Sequence, residues 1–80
     1  MTYTDIEARV KTFLIDEMEI DEKVVYADAR LKEEMGIDSL DYVDIVVIVE
    51  REFGFKIKPE AIKEIKTLKD FCNYIAQQIS

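Results

Sequence analysis

The chain has 80 residues, of which 49% are hydrophobic and 36% charged, and its formal net charge is −7. These values predict a single folded domain over residues 1–80 and argue against wholesale disorder. The sequence contains one cysteine and no histidine, which excludes an intrachain disulfide and removes the commonest general base and zinc ligand. We therefore expect no metal site, and any catalysis would have to use carboxylates, lysine or tyrosine.

The charge is unevenly distributed along the chain. Residues 33–52 contain seven acids and one base, whereas residues 53–80 contain five lysines and three acids. A dense acidic segment argues against nucleic acid as a partner and favours a basic protein surface. No basic leader precedes an apolar segment, and no apolar run reaches membrane-spanning length. We expect a monomeric, cytoplasmic protein that does not insert into membranes.

The first helix is predicted over about residues 4–18. Thr4 and Glu7 have the spacing of a capping box, in which two side chains satisfy backbone N–H groups at a helix start. Apolar residues then recur at steps of three and four, which is typical of one buried helical face. The residues of this face are Ile6, Val10, Phe13, Leu14 and Met18. Residues 19–37 show no such period and predict a long loop, with one helical turn starting at Asp28.

The second helix is predicted over residues 39–53, against a competing strand signal. Four consecutive β-branched residues, 46–49, suit a strand and cost a helix about 0.5 kcal/mol each relative to alanine. Burial of even two of these side chains offsets that cost, since each contributes about 1.5–3 kcal/mol. Asp38 as the N-cap, Asp41 at the third helical position and Gly54 as the C-terminal stop also favour the helix.

A short third helix and a fourth helix complete the predicted fold. Pro59 suits the first position of the third helix, and Thr67 with Asp70 forms a capping-box pattern ahead of the fourth. Their inner faces are predicted to comprise Ala61, Ile62 and Ile65 in the third helix and Leu68, Phe71, Cys72, Ile75, Ala76 and Ile79 in the fourth. The chain is therefore predicted to be all-α, a four-helix bundle with three main helices, one short third helix and a long loop between the first and second helices.

Ser39 stands at the start of the second helix and has three interpretations. A serine that follows an aspartate at such a place is most often only a helix cap. A catalytic serine needs an activating base, and this chain has no histidine and no visible oxyanion-hole motif. A covalent phosphodiester also suits the position, because a helix N-terminus favours an anion while the acids nearby oppose its reversible binding.

The segment around this serine, and the positions that follow it, resemble an acyl carrier protein. The matching residues are Met35-Gly36-Ile37-Asp38-Ser39-Leu40-Asp41, then Val43, Ile45, Val46, Phe53, Ile57, Ile65, Leu68, Tyr74 and Ile75. The resemblance covers nearly the whole chain, including its length, its acidic charge and its order of helices. It implies that Ser39, with Asp38 and Leu40 as the flanking motif, carries 4′-phosphopantetheine that a separate phosphopantetheinyl transferase takes from coenzyme A. The thiol of this arm would hold acyl intermediates of fatty-acid, lipid or polyketide-type biosynthesis, and the carrier itself would not be an enzyme.

Two further sets of residues gain a role from this resemblance. An apolar stripe edged by acids on the second helix would dock on acyl-loading and acyl-processing enzymes with basic surfaces; the competing interpretation is a solvated helix face. The stripe comprises Leu40, Asp41, Val43, Asp44, Val47 and Glu50. An acyl chain would enter the bundle among residues that are otherwise ordinary core, namely Ile45, Val46, Val49, Ile57, Ile62, Ile65 and Leu68.

The third-helix region departs from the family pattern. It is acidic in typical fatty-acid carriers, whereas Lys56, Lys58, Lys63 and Lys66 make it basic here. A carrier dedicated to one pathway therefore fits the sequence at least as well as a housekeeping carrier does. Two other functions stay open: an unmodified helical adaptor that only binds proteins, and a carrier of aminoacyl groups. Cys72 is predicted to be a small core hydrophobe.

Overall fold

The structure is a computed structural model that describes residues 1–79, apart from the side chain of Pro59. Within this range the regular elements are helical: α1 (Tyr3–Asp16), α2 (Ser39–Phe53), α3 (Pro59–Glu64) and α4 (Leu68–Ile79), with a 3₁₀ helix at Glu22–Val24. The predicted all-α bundle, with its short third helix and its long connection between the first and second helices, is confirmed.

Helix α2 has the predicted bounds and the predicted caps. The Asp38 carboxylate accepts hydrogen bonds from the N–H groups of Leu40 (2.9 Å) and Asp41 (3.3 Å), and the Asp41 carboxylate accepts one from the Asp38 N–H (3.1 Å). Gly54 ends the helix in the left-handed conformation, with φ of 80°. Val49 is fully buried, so the burial of β-branched side chains has overridden their strand propensity, as expected.

The start of α1 differs from the prediction. The capping box comprises Thr2 and Asp5, and the box predicted from Thr4 and Glu7 is wrong. The Thr2 hydroxyl accepts from the Asp5 N–H and the Asp5 carboxylate accepts from the Thr2 N–H, each at 3.2 Å. The Thr2 N–H also holds the pKa of the Asp5 carboxyl below its usual value. Thr2 and Asp5 have the same spacing as Thr4 and Glu7, which lie two residues further along the chain. The earlier pair is the one that caps the helix.

The end of α1 also lies earlier than predicted. Its last residue is Asp16 rather than Met18. The Met18 N–H donates to the Phe13 carbonyl at 3.1 Å, five residues back instead of four, and Glu19 then takes a left-handed φ of 56°. The chain thereby leaves the helix axis and enters the 3₁₀ helix at Glu22–Val24, which the sequence did not predict.

The second half of the long loop pairs with the segment ahead of α4. Two backbone hydrogen bonds of 2.9 and 3.0 Å join residues 29–31 to residues 66–68, on either side of an antiparallel bridge between Arg30 and Thr67. The predicted helical turn begins at Arg30 rather than at Asp28. The Arg30 carbonyl accepts hydrogen bonds from the N–H groups of Glu34 (3.0 Å) and Met35 (3.2 Å), whereas the Ala29 carbonyl and the Leu31 N–H bond to the distant segment. The loop is therefore fixed against the bundle through its backbone as well as its side chains.

Helix α3 begins at Pro59 and α4 at Leu68, both as predicted. The Thr67 hydroxyl accepts from the Asp70 N–H and the Asp70 carboxylate accepts from the Thr67 N–H, each at 3.2 Å, which confirms the predicted capping pair. On the predicted inner faces Ile65, Leu68, Phe71, Cys72 and Ile75 are buried, and Ala61, Ile62, Ala76 and Ile79 are half-buried.

The core joins α1, α2 and α4 with apolar side chains from the loop. Phe13 of α1 and Phe71 of α4 meet edge to face, with their ring centroids 6.3 Å apart. The loop contributes the buried residues Val25, Ala29, Leu31, Met35 and Ile37. Cys72 is fully buried, as predicted, and burial raises the pKa of its thiol to about 12. Among residues 1–79 no polar or charged residue is buried.

Candidate functional site

Ser39 is the first residue of α2, and its side chain is exposed. The capping hydrogen bonds at this helix start are made by Asp38 and Asp41. Within residues 1–79 no hydrogen bond involves the Ser39 hydroxyl. The hydroxyl is therefore not needed as a helix cap, and it faces solvent where another molecule can reach it.

The turn ahead of Ser39 is anchored by two buried side chains. Met35 is 9% exposed and Ile37 is 2% exposed, and the Ile37 N–H donates to the Leu31 carbonyl at 2.9 Å. Between them Gly36 has φ of 71°, a left-handed conformation that residues with a Cβ rarely adopt. These constraints present the serine at a fixed place on the surface.

The predicted docking stripe lies exposed along α2. Leu40, Val43 and Val47 are 78%, 65% and 59% exposed, although each is a large apolar side chain. The carboxylates of Asp44 and Glu50 are exposed on the same helix. Grouped apolar side chains on a charged surface are typical of interaction sites. The arrangement suits docking on a partner that offers both apolar contact and positive charge.

Asp41 differs from the other acids of this stripe. It is half-buried, and its carboxylate accepts the hydrogen bond from the Asp38 N–H. Asp44 and Glu50 make no side-chain hydrogen bond or ion pair within residues 1–79. Substitution of Asp41 would therefore disturb the start of α2 as well as the surface charge. Substitution of Asp44 or Glu50 would change the surface charge alone.

A groove of about 530 Å³ opens beside Ser39, and we call it the basic groove. It is lined by Arg30, Lys32, Glu33, Ser39, Tyr42, Ile62, Lys63, Ile65 and Lys66. Four cationic side chains and one acid give this lining a formal charge of +3, in a chain whose net charge is −7. Among the lining residues, burial and the nearby Glu33 carboxylate raise the pKa of the Tyr42 hydroxyl.

The pairing of residues 29–31 with residues 66–68 assembles the basic groove. It brings Arg30 and Lys32 of the long loop beside Lys63 of α3 and Lys66, which follows α3. The sequence predicts that the third-helix region is basic, but it does not place those lysines beside Ser39, and it gives no sign that the loop cations join them. Only a prediction of this long-range pairing could have found the groove.

The residues predicted to admit an acyl chain do not enclose one space. An internal cavity of about 10 Å³ is lined by Leu31, Tyr42, Ile45, Ile57, Ile62, Ile65 and Phe71. Of the predicted set, Ile45, Ile57, Ile62 and Ile65 line it, whereas Val46, Val49 and Leu68 do not. Such a volume is about that of one water molecule. The core is closed in this structure, so an acyl chain would have to part the helices to enter it.

Three other features would indicate a different function: a membrane-spanning helix, a metal-binding cluster and a lysine hydrogen-bonded to Ser39. In residues 1–79 no helix has both the length and the apolarity needed to cross a bilayer. The same range holds no group of three or more cysteine, aspartate or glutamate side chains placed to bind a metal ion. None of the lysines that line the basic groove forms a hydrogen bond with Ser39 within this range. A lysine-activated serine therefore has no support from the hydrogen bonds of this site.

Comparison with known proteins finds relatives along the whole chain. The family model described as "Phosphopantetheine attachment site" matches residues 8–75, which include Ser39. The acyl carrier protein of Thermotoga maritima is 35% identical over 75 residues, which cover 94% of this chain and 93% of the relative. Those of Petrotoga mobilis and Thermosynechococcus vestitus are 31% and 30% identical over 80 residues, which cover 100% of this chain and 94% and 99% of the relatives.

Proposed function

Because the chain belongs to the acyl carrier protein family, we propose that Ser39 is the residue that carries its 4′-phosphopantetheine group. One observation carries this proposal: the Ser39 hydroxyl is exposed at the start of α2 while Asp38 and Asp41 make the capping bonds. The hydroxyl can therefore be esterified without loss of a helix cap. When attached, the group supplies a thiol that holds an acyl chain as a thioester.

The surroundings of Ser39 fit such an attachment. A phosphodiester at this hydroxyl would lie at the N-terminus of α2, where the helix dipole favours negative charge. The carboxylates of Asp38 and Asp41 stand in the same turn and repel a free anion, so the charge is better held by a covalent bond than by reversible binding. The groove of about 530 Å³ beside the serine leaves room for a flexible arm.

Intact mass spectrometry tests the attachment. After incubation with coenzyme A, magnesium and a broad-specificity phosphopantetheinyl transferase, the wild-type chain should gain the mass of one phosphopantetheinyl group. Ser39→Ala should gain none, whereas Thr4→Ala, which removes another exposed hydroxyl, should gain the full mass. No gain on the wild type, or an equal gain on Ser39→Ala, would overturn the proposal.

We propose that the stripe on α2 docks on the phosphopantetheinyl transferase and on acyl-loading and acyl-processing enzymes with basic surfaces. The exposure of Leu40, Val43 and Val47 supports this, because the helix leaves large apolar side chains in water. Asp44 and Glu50 support it as well, since their charges are not engaged within the described part of the chain. Nucleic acid is not expected to bind this acidic surface.

We also infer that the chain presents acyl groups without catalysing their chemistry. The sequence has no histidine, and Ser39 has no hydrogen-bonded base within residues 1–79. A monomeric, cytoplasmic carrier that consists of one domain completes the proposal. An unmodified adaptor would dock through the same stripe but would gain no mass, and loading assays with candidate ligases separate an aminoacyl carrier from an acyl carrier.

A further inference from the structure

We propose that the basic groove binds the anionic end of the carried acyl group, so that this chain suits acyl groups that end in a carboxylate. The inference rests on the proposed attachment at Ser39, which lines the groove, so that a flexible arm would keep the cargo within reach of it. A tether of this kind keeps the effective concentration of the cargo high, so individually weak charge contacts suffice.

The four cations of the basic groove form no ion pair with the described residues of the protein. Elsewhere within residues 1–79, Lys11 pairs with one glutamate and Arg51 with two. The nearby Glu34 carboxylate accepts hydrogen bonds from the Tyr26 hydroxyl and from the Arg30 N–H (2.8 Å), and these bonds together with the Arg30 charge lower its pKa, so Glu34 offsets part of the charge of Arg30. Glu33 is the one acid in the lining. The groove thus concentrates positive charge within an acidic protein.

The arm alone does not balance this charge. A phosphodiester at Ser39 carries one negative charge, which leaves two of the three excess positive charges of the lining. A terminal carboxylate on the cargo would supply another negative charge, and lysine and arginine form charge-assisted hydrogen bonds with carboxylates. A cargo with an uncharged end would form no such bond, and these exposed cations would stay in contact with water.

The shape of the groove suits a chain that is apolar along its length and charged at its end. Tyr42, Ile62 and Ile65 supply apolar lining, and the four cations stand beside them. The volume of about 530 Å³ lies within the range of ligand sites, about 300–1,000 Å³. The internal cavity, at about 10 Å³, holds no acyl chain. The basic groove, whose lining includes Ser39 itself, is therefore a space that is open to the cargo without any movement of the helices.

The test compares two cargoes on the same arm. The transferase loads the chain from butyryl- or succinyl-coenzyme A, and intact mass confirms each product. The succinyl group has the same chain length but ends in a carboxylate, which is labelled with ¹³C. Lys63→Ala/Lys66→Ala removes two cations of the groove, and Lys23→Ala/Lys69→Ala removes two exposed lysines outside it. Far-UV circular dichroism checks that both variants keep their helices.

The amide resonances of residues 30–33 and 62–66 of the wild type should differ between the succinyl-loaded and the butyryl-loaded chain, which carry the same arm. The ¹³C titration should place the pKa of the succinyl carboxyl lower on the wild type than on Lys63→Ala/Lys66→Ala, by about 0.3–1, because cations favour the ionised form. Added salt should reduce that difference, and the Lys23→Ala/Lys69→Ala chain should behave as the wild type.

Equal spectra for the two cargoes, or an equal change in pKa in both double variants, would overturn the inference while leaving the attachment at Ser39 intact. A chain that gains no mass from either donor would overturn the proposed function, and this inference with it. The two failures are therefore distinguished by the mass measurement before any titration begins.

Discussion

Asp38 and Ser39 are adjacent residues that the structure assigns to different tasks. Asp38 accepts two backbone hydrogen bonds at the start of α2, and Ser39 makes none with its side chain in the described part of the chain. The residue that we propose is modified is thus free of the capping role that serines often have at helix starts. Stability and modification should therefore respond to different substitutions.

We expect Asp38→Ala to lower the free energy of unfolding by about 1 kcal/mol, because it removes the acceptor of the capping bonds. Ser39→Ala should lower it by less than about 0.5 kcal/mol, as for an exposed residue without a partner. Asp38→Asn, which keeps an acceptor oxygen, is the matched control. Urea unfolding of the unmodified chains measures the three changes in the free energy of unfolding, and equal m values show that the variants can be compared directly. Equal losses for Asp38→Ala and Ser39→Ala would contradict this division of tasks.

Cys72 offers a second residue-scale prediction, because burial hides its thiol and raises the pKa to about 12. Thiolates react and thiols do not, so at pH 8 the folded, unmodified chain should react with a disulfide reagent only as fast as it opens. After attachment of the arm, one thiol per chain should react rapidly. Denaturant should expose Cys72 and raise the count by one. Rapid reaction of the folded, unmodified chain would show that Cys72 is accessible.

At the scale of elements, local signals predicted α2 correctly and α1 with errors at both ends. The bounds of α2 follow from an N-cap at Asp38 and a stop at Gly54, each the one strong signal in its neighbourhood. α1 has two overlapping threonine–acid pairs, and sequence spacing alone does not rank them. Its end depends on the left-handed backbone at Glu19, for which the residue type gives no cue.

The C-terminal stop of α2 can be tested at Gly54, which has φ of 80° and nothing within 4 Å of the place a Cβ would take. The cost of a side chain there is therefore conformational and not steric crowding. Gly54→Ala should lower the free energy of unfolding by about 1–2 kcal/mol, the cost of a left-handed alanine. Gly54→Asn should lower it less, since asparagine tolerates this conformation. Thermal and urea unfolding give the two values; equal stability of wild type and Gly54→Ala would refute the assignment.

Part of the candidate site could not be predicted from any local sequence pattern. The serine, its flanking residues and the stripe on α2 belong to one continuous segment, so motif and helical period predicted their placement together. The basic groove instead requires residues 29–31 to pair with residues 66–68, more than thirty positions away. The residue types of neither segment predict that it pairs with the other, because an isolated β-bridge has no characteristic amino-acid preference. The unpredicted part of the site is therefore the part made by tertiary structure.

At the scale of the whole molecule, the two charged surfaces are separate although both include residues of α2. No residue of the docking stripe lines the basic groove. On the proposals above, negative charge on the stripe would attract basic partners over about a Debye length, whereas positive charge in the groove would act on the group tethered at Ser39. The two proposals therefore assign the recognition of enzymes to one surface and the holding of the cargo to the other.

The last prediction concerns the docking stripe on α2, and the structure shows which of its acids is the better one to substitute. Asp41 caps α2 through the Asp38 N–H, so its substitution would confuse stability with docking, whereas Asp44 makes no such bond. We expect Asp44→Lys to raise the transferase KM for the chain about three- to tenfold, with kcat little changed, because it replaces attraction by repulsion at the encounter surface.

The matched control is Asp16→Lys, which makes the same change of charge at the exposed end of α1. If charge acts locally, as screening over about 10 Å at about 0.1 M salt requires, Asp16→Lys should raise KM much less. Raising the salt from about 50 mM to about 500 mM should bring the wild type close to Asp44→Lys, since it screens the attraction that the substitution removes. An equal effect of both substitutions would point to net charge alone, and salt-independent KM values would remove the acidic stripe from the docking mechanism.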